Sequence, residues 1–161
     1  MKIKPTSMTS HILATIINHK PKAFAYIQGK EINGTICFYE YNHHTVMIYE
    51  IHGLPPTGFF GFHIHEGNTC INDTAIPYEK TYGHYNPTHQ EHPHHLGDLP
   101  PLFALHSTAW SIVYIDKFTP QDIIGRTIVI HEKPDDFHTQ PSGNSMVKIA
   151  CGVIQPFHHE I

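Results

Sequence analysis

An all-β fold, a sandwich or barrel of short strands around one long loop, is what this sequence predicts, and three observations predict it. Seven short runs rich in β-branched and aromatic residues are bounded by Gly, Pro and Asn. They follow one another at regular spacing, apart from a single gap of some forty residues. At 161 residues the chain suits one well-buried core rather than two, so one domain is expected.

The first 21 residues read as an extension, in which "SMTSHILATII" predicts a short helix packing on the sandwich. The domain is expected over residues 22–161. Its first three strands are "KAFAYIQG", "GTICFYEYN" and "TVMIYEIHG", joined through "EINGTI" and "EYNHHTV". Asn and Gly there supply positive φ for hairpin turns, so an antiparallel meander is expected. "FFGFHIHEG" is the fourth run, and "TAWSIVYID", "RTIVIHEKP" and "KIACGVIQP" close the series. The gap after "FHIHEG" is punctuated by prolines and holds the densest histidines. A connection that long without periodic apolar positions is either functional or disordered.

Composition narrows the function classes. Lys and Arg number 10 against 14 Asp and Glu, for a net charge of −4 with His neutral. That balance argues against nucleic acid or an anionic lipid surface as partner. No stretch approaches the roughly 20 apolar residues of a membrane-spanning helix. The amino terminus has no long apolar core followed by a small-residue cleavage site, so a soluble, cytoplasmic protein is expected, with an exported location left open. Three cysteines, Cys37, Cys70 and Cys151, allow at most one internal disulfide. The unusual figure is histidine, at 17. Histidine is the commonest metal ligand, and metal is the leading expectation.

In "FHIHE", His63 and His65 are two apart, a spacing that on a strand places both side chains on one face about 7 Å apart at Cα. Taken alone, such a pair is more often a polar surface. In "HYNPTHQEHPHHLGD", His84, His92, His95 and Asp98 offer a four-coordinate nitrogen and oxygen set suited to zinc, leaving His89 and His94 as bystanders. His131 ends the strand of "IVIHEKPDDF", with aspartates close behind that can accept the second N–H of a ligand imidazole.

Together "GFHIHE", "HYNP" with its following histidines and "GDLP", "VIHEKPDD" and "GNSMVKIACGVI" resemble, in order and spacing, the copper-zinc superoxide dismutase family. The resemblance covers about residues 22–156, and the short step from "HIHE" to Cys70 and the run "HLGDLPPLF" are similar to bacterial members. The step from His92 to His95 is shorter than is usual in the family. The resemblance implies a Greek-key β-sandwich, a flattened barrel of about eight antiparallel strands with a long metal-binding loop. It implies that His63, His65, His84 and His131 bind copper, and that His84, His92, His95 and Asp98 bind zinc, with His84 bridging. Asp135 matches the family's carboxylate linking the two metal sites, and Cys70 and Cys151 match its disulfide pair. Cys37 is left as a small buried hydrophobe.

The implied activity is disproportionation of superoxide to dioxygen and hydrogen peroxide, in a monomer or homodimer. His84 is then expected to carry a proton for the departing peroxide. Where the family has an arginine ahead of "ACG", this chain has Lys148, which keeps the charge that attracts a small anion but loses the rigid fork of donors. A slower enzyme is expected. Met146 replaces a family glycine and is expected to narrow the approach to copper. A protein that binds or buffers the same metals without turnover is the alternative, kept open by Lys148 and by the extra histidines His43, His44, His89 and His94.

Overall fold

The computed structural model describes residues 7–158. The strands are β1 (Ala23–Gly29), β2 (Asn33–Tyr41), β3 (His44–His52), β4 (Thr57–Phe60), β5 (Phe62–His65), β6 (Leu102–Leu105), β7 (Thr108–Ile115), β8 (Thr127–His131), β9 (Lys148–Val153) and β10 (Gln155–Pro156). Nine of them form one antiparallel sheet in the order β4-β6-β7-β3-β2-β1-β9-β8-β5, and β10 pairs with β1. The two ends of that order are consecutive halves of the run "FFGFHIH". β4 pairs with β6, the chain changes partner at Gly61, and β5 pairs with β8. The sheet therefore nearly closes into a barrel, and counting that interrupted run once gives eight strand positions. The chain crosses over non-neighbouring strands between β3 and β4 and again between β7 and β8, as in a Greek key.

The alternation of strand side chains builds the core. Ala23, Ala25 and Ile27 of β1, Ile36 and Phe38 of β2, and Met47 and Ile51 of β3 point inward and are buried, with Phe62, Ile64, Leu102, Ile128 and Ile130 opposite them. β5 and β8 differ from the others because every residue in them is buried. Their outward faces lie under the long loop, so His63, His65 and His131 are on the barrel's outside yet out of solvent.

Two expectations are corrected. The turn between β1 and β2 is closed by the bond from the Gly29 N–H to the Ile32 carbonyl, and Asn33 and Gly34 already belong to β2. A side chain at Gly34 would run into the Glu50 carbonyl of β3, so glycine is needed there for close approach, not for a turn. The forty-residue gap, expected to be loop throughout, ends in a strand, β6. The β2–β3 hairpin does turn through Asn42 and His43, both at positive φ.

An N-terminal helix, α1 (Ser7–Asn18), lies against β2, and none of its residues from Met8 on is buried. A short helix, α2 (Pro120–Ile123), carries a capping box between Thr119 and Asp122. No helix among the described residues is long and apolar enough to cross a membrane.

Candidate metal centre

The free edge of β5 receives the loop. The Ile64 N–H bonds the Gly97 carbonyl, the Tyr85 N–H bonds the Ile64 carbonyl, and the Glu66 N–H bonds the Gly83 carbonyl. These bonds set His84 opposite His65 and Asp98 opposite His63 as isolated bridges. On the other side, β8 delivers His131. Seven side chains distant in the chain thus meet in two buried groups, His63, His65, His84 and His131 in one and His84, His92, His95 and Asp98 in the other. Within each group the ligand atoms lie within 4.8 Å of one another.

The hydrogen bonds around these rings fix which nitrogen faces the centre. His65 Nδ1–H donates to the Tyr82 carbonyl at 2.9 Å, and His131 Nδ1–H to the Met146 carbonyl at 3.2 Å. A carbonyl only accepts, so both Nε2 atoms carry lone pairs. They face each other at 3.2 Å, a repulsive contact that a cation between them would reverse. Asp135 holds a ring with each oxygen, His63 Nε2 at 2.7 Å and His92 Nε2 at 2.9 Å. That leaves Nδ1 of both rings buried without a hydrogen bond, although His92 Nδ1 lies 3.2 Å from Asp98 Oδ2. His84 Nδ1 is 2.7 Å from Asp98 Oδ1, and His84 Nε2 is buried without a partner. Three orphaned ring nitrogens in one buried cluster fit metal ligation, because an unsatisfied buried polar atom is otherwise costly.

The same burial keeps four of the rings, His63, His65, His95 and His131, neutral. Desolvation lowers His63 to about 4 even though its bond to Asp135 works the other way. Desolvation, with the charge of His63 next, lowers His131 to about 3; desolvation, with the charge of His84 next, holds His65 well below the ordinary histidine value. His95 is lowered for the same reason. Burial would raise Asp98, but its hydrogen bond and the charges of His84, His92 and His95 outweigh it and keep the carboxylate ionised. Asp135 is likewise held below the carboxylate range, burial being overcome by bonds from His63, the Phe137 N–H and His92. Neutral imidazoles and ionised carboxylates are the protonation states that ligate a metal at neutral pH.

At the rim, the half-buried Lys148 ammonium reaches Thr81 Oγ1 at 2.8 Å, the Tyr82 carbonyl at 2.9 Å and the Tyr78 carbonyl at 3.4 Å. Burial lowers its pKa below that of an ordinary lysine, with Glu79 opposing. Met146 stands at φ +64°, a left-handed position costly for a side chain other than glycine, and is 53% exposed. Cys70 and Cys151 form a disulfide that ties the loop to β9, compatible with an extracellular or periplasmic setting. Cys37 is half-buried and unpaired.

Sequence reasoning missed four supports. Gln140 bonds both the N–H and the carbonyl of His92. Lys117 donates to the Asp98 carbonyl at 3.1 Å and the His95 carbonyl at 3.4 Å. The carbonyls of Tyr82 and Met146 set two tautomers. None carries a sequence signal, since a lone Gln or Lys and a backbone carbonyl direction are silent in a motif.

A nearly closed β-barrel with two buried, histidine-rich donor sets sharing one ring defines a class of metal-binding barrel proteins. The family model for copper/zinc superoxide dismutase matches residues 32–154. Superoxide dismutase [Cu-Zn] 4 of Dictyostelium discoideum is 33% identical over 83% of this chain and 97% of its own. The superoxide dismutase-like protein YojM of Bacillus subtilis is 29% identical over 95% of this chain and 80% of its own. The solved structure of Cu/Zn superoxide dismutase from Brucella abortus superposes with a TM-score of 0.72, at 25% identity, over 81% of this chain and 98% of that one. The chain belongs to the copper/zinc superoxide dismutase family.

Proposed function

We propose that the protein is a superoxide dismutase that holds copper through His63, His65, His84 and His131 and zinc through His84, His92, His95 and Asp98. The observation that carries this reading is the shared ring. His84 Nδ1 lies with Asp98 in one group, while its Nε2, buried and unpartnered, belongs with the other. Bound copper would supply the one-electron exchange with superoxide, and bound zinc, which is redox-inert, a fixed positive charge.

The reaction turns two superoxide anions and two protons into one dioxygen and one hydrogen peroxide. Lys148 supplies positive charge at the rim of a chain whose net charge is −4, drawing a small anion inward, an effect for which this enzyme class is itself a standard example. His84 Nε2 would hold a proton for the product peroxide when it is not bound to copper. Asp135 orients His63 and His92 together, so both halves of the site share one support. The Cys70–Cys151 bond favours an oxidising compartment over the cytoplasm expected above.

A second reading, a protein that holds the metals without turnover, is favoured by one observation: the Lys148 ammonium is bonded to the loop and not directed at a substrate. Superoxide consumption by the copper- and zinc-loaded protein separates the two. Activity well above that of free copper, abolished by His131→Ala, supports the enzyme. Equal rates in both proteins contradict it and leave the metal-holding role.

A further inference from the structure

Lysine at position 148 changes what the rim residue can do. An ammonium has three N–H donors where a guanidinium has five in a rigid fork. In this chain the ammonium has three acceptors, all on one short segment: Thr81 Oγ1, the Tyr82 carbonyl and the Tyr78 carbonyl. Thr81 is fully buried and its hydroxyl bonds the same Tyr78 carbonyl at 2.8 Å, so the acceptors are themselves held in place.

The Tyr82 carbonyl has a second donor. It accepts from Lys148 Nζ and from His65 Nδ1, each at 2.9 Å. Tyr82 aims that oxygen inward from φ 59° and ψ −145°, a conformation unusual for a residue with a side chain and one that must be maintained by its surroundings. The ring of Tyr82 is exposed and buries little to maintain it. Lys148 stands at the start of β9, the strand whose Cys151 is bonded to Cys70. β9 thus grips the loop twice, covalently at Cys70 and through the ammonium at 78–82.

We propose that Lys148 is a positioning residue in this chain: it clamps the 78–82 segment to β9 and, through the Tyr82 carbonyl, fixes His65 as the Nδ1–H tautomer with Nε2 facing His131. Its positive charge still draws an anion toward the rim, but its N–H donors orient the loop and not the substrate. The assignment rests on the reading of His65 as a copper ligand, yet its signature exists in the protein before any metal is added.

The test uses the full chain labelled with ¹⁵N-histidine, compared as wild type, Lys148→Met and Lys148→Arg. Long-range ¹H–¹⁵N spectra of the metal-free protein report the His65 tautomer, and amide exchange reports the loop. In the wild type and Lys148→Arg, His65 is expected as a single Nδ1–H tautomer. In Lys148→Met, a mixture of tautomers is expected, with exchange at 78–84 faster by about tenfold and copper affinity lower by roughly tenfold, the lower end of what loss of a ligand's support costs. The β2–β3 amides, remote from the clamp, keep their protection and serve as the fold control. Should they lose it, Lys148→Leu, which is neutral, carries no N–H donor and is shorter, repeats the comparison.

Lys148→Arg, with two further donors, is also expected to raise kcat/KM by severalfold at unchanged loop exchange. An unchanged His65 tautomer and unchanged loop exchange in the neutral variants would overturn the clamp. If the tautomer shifts as expected but the loaded wild type consumes no superoxide, the clamp stands and the dismutase reading fails.

Discussion

His63, His65 and His131 sit on strands whose backbones are paired to one another and onward to β9, whereas His92, His95 and Asp98 sit in a loop that touches the barrel through a few bridges. The strand-borne rings would be in place with or without a metal, because the alternation of β5 and β8 puts them on one face. The loop-borne side chains depend on polar ties: Gln140 on the His92 backbone, Lys117 on the carbonyls of His95 and Asp98, and the Asp98 carboxylate on the His95 N–H. One half is preorganised by the sheet. The other is ordered by polar contacts around a space with little apolar content. His84 and Asp135 each belong to both halves and join them.

Acid attacks the strand half hardest. His63 and His131 have folded values of about 4 and 3, below the ordinary value near 6.5, so the folded state binds fewer protons than the unfolded one. Their contribution to stability is therefore complete above pH 6.5 and is lost as pH falls from there toward 4 and then 3. At the end of that range His63 is worth roughly 3 kcal/mol and His131 roughly 5 kcal/mol. Chemical denaturation of the metal-free protein at pH 7.5, 5.5 and 4.5 is expected to give steadily decreasing stability, and a flat profile would contradict the buried neutral rings.

Metal removal acts on the other half. With metal at about 100 times Kd, its loss is expected to speed amide exchange in residues 67–99 by roughly a hundredfold while β5 and β8 change little. Equal protection of the loop in both states would show that it needs no metal to be ordered. Asp135→Asn tests the link between the halves. The amide cannot accept from both His63 and His92 with full charge, so affinity is expected to fall 10- to 100-fold at both metal positions in competition titrations. A loss confined to one position would mean the two are supported separately. The smallest effect is expected at Met146→Gly, which relieves the left-handed backbone and stabilises by about 1 kcal/mol in thermal unfolding without moving the carbonyl that holds His131. A destabilised variant would mean that the methionine side chain packs more than it strains.

The strands most legible in the sequence were those with long β-branched runs, and the site histidines were legible because four motifs carry them. β6 was not, for a physical reason. Its outward residues Phe103 and Leu105 are apolar and exposed while its inward Leu102 and Ala104 are apolar and buried, so the run has no alternation. Asn33–Gly34 looked like a turn because the same dipeptide serves close strand approach. The supports of the site, Gln140, Lys117 and the carbonyls of Tyr82 and Met146, become visible only once φ and ψ decide where a carbonyl points. The spacing of ligands can be read from a motif; the atoms that choose their tautomers cannot.

The proposed metal centre depends on the ring of His84 joining two ions. Crystals of the protein loaded with copper and zinc, with anomalous differences collected on both sides of each metal's absorption edge, address that directly. Two separate peaks are predicted, copper against His84 Nε2 and zinc against Nδ1. A single peak, or two peaks of which neither touches the His84 ring, would contradict it.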